Sequence, residues 1–306
     1  MAKLVSIGEI IADSFANSSE TYTSIGGAPL NLCAQVAKLG ANAVYLSKVG
    51  VGNYSKNLLS QIDNLNIDKK YIISSKKENT SIAYINISES GERKFTFMRN
   101  KPCELNLSYN DYQDLEFEND DIFEFGSVAL YSKKSRKTHD LLIKKAKLAN
   151  VKIAFDPNLR FNLWNNDKLL RKIVIKYLKY VDILKISDDE LKFVFSDSEN
   201  DAIKKLFSYG ISEVLLTRNK DGATLFLKNG EIYECKGYQV EEIDTTGAGD
   251  SCFGGYLFQI LNGNKDYQTQ IDFACKCGAY TCTKLGAISA MGTLEEINAY
   301  QFEKNV

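Results

Sequence analysis

Asp244-Thr245-Thr246-Gly247-Ala248-Gly249-Asp250 is the stretch on which the reading of this 306-residue chain turns. A strand-like run with Tyr238, Val240 and Ile243 precedes it, and an apolar, helix-like run from Phe253 to Leu261 follows. That spacing sets two glycines and an acid at the mouth of a helix. The first N–H groups of a helix have no internal partners and carry the positive end of its dipole. Gly247 and Gly249 let this backbone press close to an anion. Asp250 then lies beside the anion, where a carboxylate is out of place unless it has a task. Taking a proton from a hydroxyl that attacks a phosphoryl group is such a task. The plainer reading is a tight strand-to-helix turn with Asp as a cap. Both readings can hold at once. The stretch is not a Walker A loop, because no Gly-Lys-Ser/Thr follows. It is not a dinucleotide fingerprint either, since Cys252 stands where Gly or Ala is expected.

A second stretch, residues 26–40, reads Gly-Gly-Ala-Pro-Leu-Asn-Leu-Cys-Ala-Gln-Val-Ala-Lys-Leu-Gly. Leu30, Cys33, Ala34 and Ala37 follow the i, i+3, i+4, i+7 spacing of an amphipathic helix. Pro29 suits its first turn and Gly40 its C-terminal stop. Asn31 projects from the opening turn, beside two glycines. Alone it is a capping or solvated residue; beside the 244–250 stretch it becomes a candidate for holding sugar hydroxyls.

Composition narrows the function classes. The chain is 44% hydrophobic and 25% charged, with a formal net charge of −1 and no basic block. This is the profile of a soluble globular protein and argues against a nucleic-acid or anionic-membrane partner. Met1 to Glu9 lacks the apolar core of a signal peptide, and no run suggests a membrane span, so a cytoplasmic location is the default expectation. The seven cysteines are odd in number and irregular in spacing, which speaks against a disulfide framework. Cys275, Cys277 and Cys282 have no paired Cys-x-x-Cys and no nearby histidine, so small core residues are expected rather than a zinc site. The one histidine, His139, lies in a Lys-rich helical stretch without a nucleophile elbow, which disfavours a Ser-His-Asp hydrolase.

Strand-like and helix-like runs alternate. Strands are expected at Leu4–Ile7, Val44–Lys48, Ile122–Phe125, Lys152–Phe155, Ile183–Lys185 and Val214–Thr217, and helices at 133–148, 167–179, 188–195 and 200–208. Such alternation implies a mostly parallel sheet covered by helices, with functional groups at the carboxyl ends of its strands. Residues about 11–24 and 80–101 break the rhythm. Their period-two pattern (Ala83, Ile85, Ile87; Phe95, Phe97) predicts a small separate sheet.

The stretches at 26–40 and 244–250 together resemble the two signature regions of the ribokinase-like (PfkB-type) carbohydrate kinases. The resemblance runs from Gly8 to about Thr293. Within that family the chain is most similar to fructokinases. The stretches that carry this are Phe155-Asp156-Pro157-Asn158-Leu159-Arg160 with Trp164 close behind, Phe125-Gly126-Ser127-Val128-Ala129-Leu130, and Glu92-Arg93-Lys94-Phe95-Thr96-Phe97-Met98-Arg99. The resemblance implies one α/β domain over 1–306, a three-layer αβα sandwich with a mostly parallel central sheet. The small β-sheet, about 11–24 and 80–101, is then a lid over the sugar. It implies an ATP-dependent kinase acting on a primary hydroxyl, with D-fructose to fructose 6-phosphate as the first expectation. Another sugar or sugar acid (2-keto-3-deoxygluconate, ribose) is the alternative, and a non-catalytic sugar-binding regulator the rival from another class. Ala28 weighs against ribose, because the ribokinase branch carries Lys after the paired glycines. The Asp-Pro-Asn-x-Arg stretch leans away from a nucleoside kinase.

Carried over residue by residue, the resemblance makes Asp250 the catalytic base and the N–H groups of Gly247, Ala248 and Gly249 an anion hole. Asp13, Gly26, Gly27 and Asn31 become sugar contacts, joined by Arg99 from the lid and Arg160. ATP is expected at Lys185, Ser187 and Glu190, at Thr217 to Gly222 with Arg218 among them, and at Cys275, with Glu190 orienting water around Mg²⁺. K⁺ is implied near Asp244, Thr246, Lys284 and Gly286, mostly through backbone carbonyls. A homodimer through the lid is expected by analogy. Several positions depart from the family pattern: Ser187 replaces Asn, Asn219 replaces Gly, Cys275 replaces Asn and Ala290 replaces Ser. Asn219 keeps the function of its glycine in one respect, since Asn tolerates the left-handed conformation. Plainer readings stand beside these: Asp13 as a turn aspartate, Arg99 as an exposed strand arginine, Arg160 as a surface arginine over a turn, and Asp244 as a turn cap.

Overall fold

Leu4 and Val5 are neighbours in the first strand, yet they enter two different hydrophobic cores. Val44 and Tyr45 divide in the same way. Successive side chains of a strand point to opposite faces, so a strand apolar at every position belongs to a sheet buried on both sides. The computed structural model describes residues 2–16, 21–51, 53–87, 93–164 and 166–305.

In chain order, β1 (Lys3–Ile7), β2 (Ile11–Ala16) and β3 (Thr21–Gly26) lead into α1 (Ala28–Lys38). Then come β4 (Asn42–Val51), α2 (Asn53–Asp63), β5 (Ile72–Asn79), β6 (Ser81–Ile87), β7 (Arg93–Met98) and β8 (Ile122–Gly126). The α/β alternation follows with α3 (Lys133–Leu148), β9 (Lys152–Asp156), α4 (Asp167–Leu178), β10 (Ile183–Ser187), α5 (Asp188–Val194), α6 (Glu199–Ser208) and β11 (Glu213–Thr217). The chain closes with β12 (Gly222–Leu227), β13 (Ile232–Lys236), β14 (Tyr238–Gln239), α7 (Ala248–Leu261), α8 (Tyr267–Thr281), α9 (Leu294–Ala299) and β15 (Glu303–Lys304).

Nine strands form the central sheet in the order β13-β12-β11-β10-β9-β8-β1-β4-β5. Every pairing from β11 to β5 is parallel, whereas β12 and β13 are antiparallel additions at one edge. One core, holding Leu142 of α3, Leu170 of α4 and Leu206 of α6, covers one face; the other holds Leu30 of α1, Phe253 of α7 and Ile271 of α8. The result is a mostly parallel sheet between two helical layers. The strand order reverses at β1, which lies between β4 and β8, and a sheet of this kind leaves a crevice beyond the carboxyl ends at such a switch point.

The six strands and four helices read from the alternation all form, with ends that differ by a few residues. The expected small sheet also forms, in the order β3-β2-β6-β7. Residues 17–20 and 88–92, with Glu92 of the sequence motif, fall outside the described residues, as do the side chains of Ile85, Ile87 and Phe95. The segment before the 244–250 turn differs from expectation. Only Tyr238 and Gln239 are strand, and they pair with β15 in a two-stranded ribbon apart from the main sheet. Ile243 is 54% exposed, and its N–H donates to the Cys282 carbonyl at 2.9 Å, so the turn is fed by a loop braced on the end of α8. Six of the seven cysteines are buried and all are free. No helix among the described residues is long and apolar enough to cross a membrane.

The core is densest around Phe125. Its ring stacks on Phe155 at 4.6 Å and meets His139 and Tyr177 edge-on, each at 5.7 Å. Burial pushes the His139 imidazole down to about 4, so it packs as a neutral ring. Phe125→Ala removes the centre of this cluster and is expected to cost about 3–5 kcal/mol in urea denaturation, the usual range for a fully buried Phe.

Candidate active site

The crevice at the switch point holds a cavity of about 670 Å³. Its wall draws on the loop after β1 (Glu9), on β2 (Asp13), on the start of α1 (Asn31), on the loop after β9 (Asn158, Arg160), on β10 (Lys185) and on α7 (Asp250). These segments are far apart in sequence, and parallel strand ends bring them together.

Asp250 lies in the first turn of α7 and is 5% exposed. Asn31 Nδ2 donates to its Oδ2 at 2.8 Å, and Asn158 Nδ2 donates to its Oδ1 at 3.1 Å. Asn158 reaches it from a left-handed backbone, φ 39°, steadied by its own N–H donating to Asp156 Oδ1 at 3.1 Å. Burial raises the Asp250 pKa, while Lys185 and the Asn31 hydrogen bond pull it back down. Lys185 Nζ pairs with Asp156 Oδ2 at 2.9 Å, both side chains nearly sealed from solvent. Burial alone disfavours the ammonium, but the carboxylates of Asp156, Glu190 and Asp250 outweigh it, and Lys185 stays protonated.

The turn before Asp250 is tightly specified. Gly247 caps α7 with a left-handed φ of 79°, and a Cβ there would stand 2.9 Å from the Ala287 Cβ. No L side chain meets both conditions. Gly249 faces Lys185, whose Nζ would lie 3.3 Å from an added Cβ. The Ala248 N–H turns to the Thr245 carbonyl at 3.2 Å, so one of the three expected anion donors already has a protein partner. Asp244 braces the turn from behind: Oδ1 accepts from the Thr246 N–H and hydroxyl (3.0 and 2.6 Å), and Oδ2 accepts from the Gly286 N–H at 2.8 Å. Lys284 directs its ammonium to the Tyr280 hydroxyl at 2.7 Å and towards Glu296.

The opposite wall is acidic. Burial pushes both Glu9 and Asp13 up to about 7, and Arg160 pulls each back only in part. Glu9 is 2% exposed, and its Oε2 has no hydrogen-bond partner among the described residues. Gly26 makes room for Asp13, since a Cβ on Gly26 would lie 2.4 Å from Asp13 Oδ2. Ile11, Ala83, Phe97 and Val128 add apolar wall.

The remaining expected residues divide. Gly27, Ser187 and Glu190 line the cavity, and Ser187 and Glu190 form a capping box at the start of α5. Glu190 Oε1 also accepts from the Leu159 N–H at 2.6 Å. Thr246 lines the cavity as well. Arg99 does not: its guanidinium pairs with the buried Glu104 at 3.0 Å and donates to the Leu163 carbonyl at 3.1 Å. Thr217, Arg218, Gly222 and Cys275 also stand off the cavity wall. Arg218 forms a two-pronged pair with Glu199 (2.7 and 2.8 Å), and Cys275 is buried. Asn219 adopts the left-handed φ of 52° that its residue type tolerates. Among the polar residues absent from the expected set, Glu9 and Asn158 line the cavity, and Asp156 holds Lys185 and the Asn158 N–H from behind it. The Asp-Pro-Asn turn carried a signal for the last two; nothing in the sequence distinguished Glu9 from an ordinary strand-end acid.

The pKa of Glu9 makes the cost of the acidic wall measurable. Its folded-state value lies above the ordinary 4.5, so between about 4.5 and 7 the folded state binds more protons than the unfolded one. Stability therefore falls as pH rises through that window. Glu9→Gln is expected to gain about 2 kcal/mol over the parent at pH 8 and little at pH 4, by urea denaturation at the two pH values.

Comparison with known proteins agrees with the architecture. The pfkB family carbohydrate kinase model matches residues 1–294. Fructokinase-2 of Zea mays is 29% identical over 309 residues, covering 95% of this chain and 91% of the maize protein. Fructokinase-1 of Oryza sativa subsp. japonica is 29% identical over 312 residues, covering 96% of each. Among solved structures, a double mutant of fructokinase from Vibrio cholerae O395 with fructose, ADP and a potassium ion bound superposes with a TM-score of 0.89 at 25% identity, over 98% of each chain. Aminoimidazole riboside kinase from Salmonella enterica shares the fold, with a TM-score of 0.87 at 24% identity over 97% of this chain and 98% of that one.

Proposed function

This chain belongs to the pfkB family of carbohydrate kinases, and from that premise we propose that it transfers the γ-phosphoryl group of ATP to a primary hydroxyl of D-fructose, giving fructose 6-phosphate. The ATP-dependent kinase activity follows from the family; the choice of sugar and the roles of the residues are our reading.

The observation that carries it is the hold on Asp250. Two asparagine amides fix both carboxylate oxygens at the mouth of α7 without neutralising the charge. A carboxylate so placed accepts the proton of the sugar hydroxyl as that oxygen attacks phosphorus. The bond from hydroxyl oxygen to phosphorus forms, the bond from phosphorus to the bridging oxygen breaks, and ADP leaves. The N–H groups at Gly247 and Gly249 and the Lys185 ammonium face the moving phosphoryl group and stabilise its charge.

Glu9, Asp13, Asn31 and Arg160 are the proposed sugar contacts. A neutral polyol suits two acids that titrate near neutrality, because each hydroxyl both donates and accepts. A sugar acid such as 2-keto-3-deoxygluconate brings a carboxylate against Glu9 and Asp13, which favours fructose over that alternative. The four-stranded sheet is the proposed lid, excluding water that would compete with the sugar. Its outer side, where Met98 is 49% exposed, is the proposed homodimer surface.

Mg²⁺ is proposed with the nucleotide, and when bound it would supply neutralisation of phosphate charge. Glu190 fits it through water: the N–H groups of Leu159 and Ser187 steady its carboxylate, which retains lone pairs towards the cavity. K⁺ is proposed near Asp244, Thr246, Lys284 and Gly286, where backbone carbonyls would hold it, since the Asp244 carboxylate is taken up by the Thr246 N–H and hydroxyl and the Gly286 N–H.

A coupled ADP-release assay over fructose, ribose and 2-keto-3-deoxygluconate tests the sugar. Fructose is expected to give the highest kcat/KM; turnover of the sugar acid without fructose would overturn the choice. Asp250→Asn is expected to lower kcat about 10²–10⁴-fold while leaving sugar binding in place. The pH profile supplies a signed check. The base works deprotonated, so kcat/KM falls as pH drops through its raised pKa. Asn31→Ala removes a hydrogen bond that lowers this pKa, and the acid limb is expected to move to higher pH.

A further inference from the structure

α1 presents one polar edge to the phosphate side of the site. Asn31, Gln35 and Lys38 recur at i, i+4 and i+7, the spacing of one helical face. Asn31 holds Asp250. Gln35 is fully buried; its Nε2 donates to the Gly292 carbonyl at 3.0 Å, and its Oε1 accepts from the Ser251 hydroxyl at 2.7 Å. Lys38 Nζ donates to two backbone carbonyls, those of Ile288 at 2.7 Å and Met291 at 2.8 Å.

All three carbonyls belong to the 286–292 loop, which has no helix or strand of its own. The loop matters because of what it backs. Ala287 and Met291 are the groups that a side chain on Gly247 would strike, at 2.9 and 3.4 Å. Gly286 is the residue tied to Asp244. The loop is thus gripped from two sides, by Asp244 at its start and by α1 further along, and it walls in the turn between them. Lys38 spends its ammonium on backbone carbonyls rather than on a carboxylate. Such a charge-assisted pair fixes main-chain position more firmly than neutral hydrogen bonds do.

We propose that Lys38 and Gln35 are positioning residues for phosphoryl transfer: they lock the 286–292 loop against the Gly247 turn, so that the helix bordering the sugar also sets the geometry of the phosphate-side backbone. The proposal rests on the kinase reading above, with Asp250 as base. Neither residue touches the cavity, so their effect falls on alignment. Misplacement by about 1 Å at a reacting centre costs up to roughly 10²-fold in rate.

The test uses the full chain. Wild type, Lys38→Met, Lys38→Gln and Lys38→Arg are compared for kcat with fructose and ATP, for fructose Kd by calorimetry and for Tm. Lys38→Met is expected to lower kcat roughly 10–100-fold with fructose Kd within about twofold of wild type. Lys38→Arg, whose guanidinium also donates to two carbonyls, is expected to keep most of kcat, and Lys38→Gln, with one amide to offer, to fall between. A folded Lys38→Met enzyme with kcat within about twofold of wild type would overturn the proposal. So would an arginine variant no better than the methionine one, or losses in kcat and in fructose binding of equal size. If Lys38→Met does not fold, the order of the arginine and glutamine variants decides. Failure of wild type to phosphorylate any sugar would instead sink the functional reading, and the two failures are read from different proteins.

Discussion

Asp250 is a carboxylate taken out of water and held by two amides, one from α1 and one from the loop after β9. Burial makes its charge costly and raises its pKa, and Lys185 and the Asn31 hydrogen bond offset part of that cost. The three segments that meet there come from the beginning, the middle and the later part of the chain, and the central sheet brings them together. Strand order, the switch point at β1 and the left-handed turn at Asn158 all serve this one meeting point.

The surroundings extend the same logic. Lys185 is charged because Asp156, Glu190 and Asp250 surround it, and Asp156 in turn steadies the backbone of Asn158. The proposed phosphate side is therefore a network in which one buried ammonium is shared among three carboxylates. The proposed sugar side is different: Glu9 is buried and Asp13 half-buried, both are pushed up by burial, and Arg160 is the charge that pulls both back. A polar network fully satisfied within the protein rigidifies, whereas an under-satisfied one leaves hydrogen-bonding capacity for a ligand.

The fold was legible because its signals are local and periodic. Largely apolar runs such as Ile183–Lys185 and Val214–Thr217, separated by helical patterns, predict a mostly parallel sheet covered by helices. The run Tyr238–Ile243 suggests a strand along its length, yet pairing with C-terminal partners 64 and 66 residues away leaves no periodic trace and confines it to Tyr238 and Gln239. Within the site, residues tied to glycine-bearing turns were legible: Gly247, Asp250, Gly27 and Asn31 all reach the cavity or its edge. Long side chains were not. Arg99 can reach many partners, and the buried Glu104 takes it. Arg218 is taken by Glu199 in the same way. Glu9, Asn158 and Lys38 act through contacts across the fold, which residue type and spacing do not encode.

Asp13 and Gly26 occupy one volume between them, the carboxylate filling the space that any larger residue at 26 would need. The two positions therefore form a single inherited unit. A change at 26 alone displaces the acid, and loss of the acid alone leaves a hole that nothing at 26 has grown to fill. Divergence at this corner requires a coordinated double replacement through a handicapped intermediate.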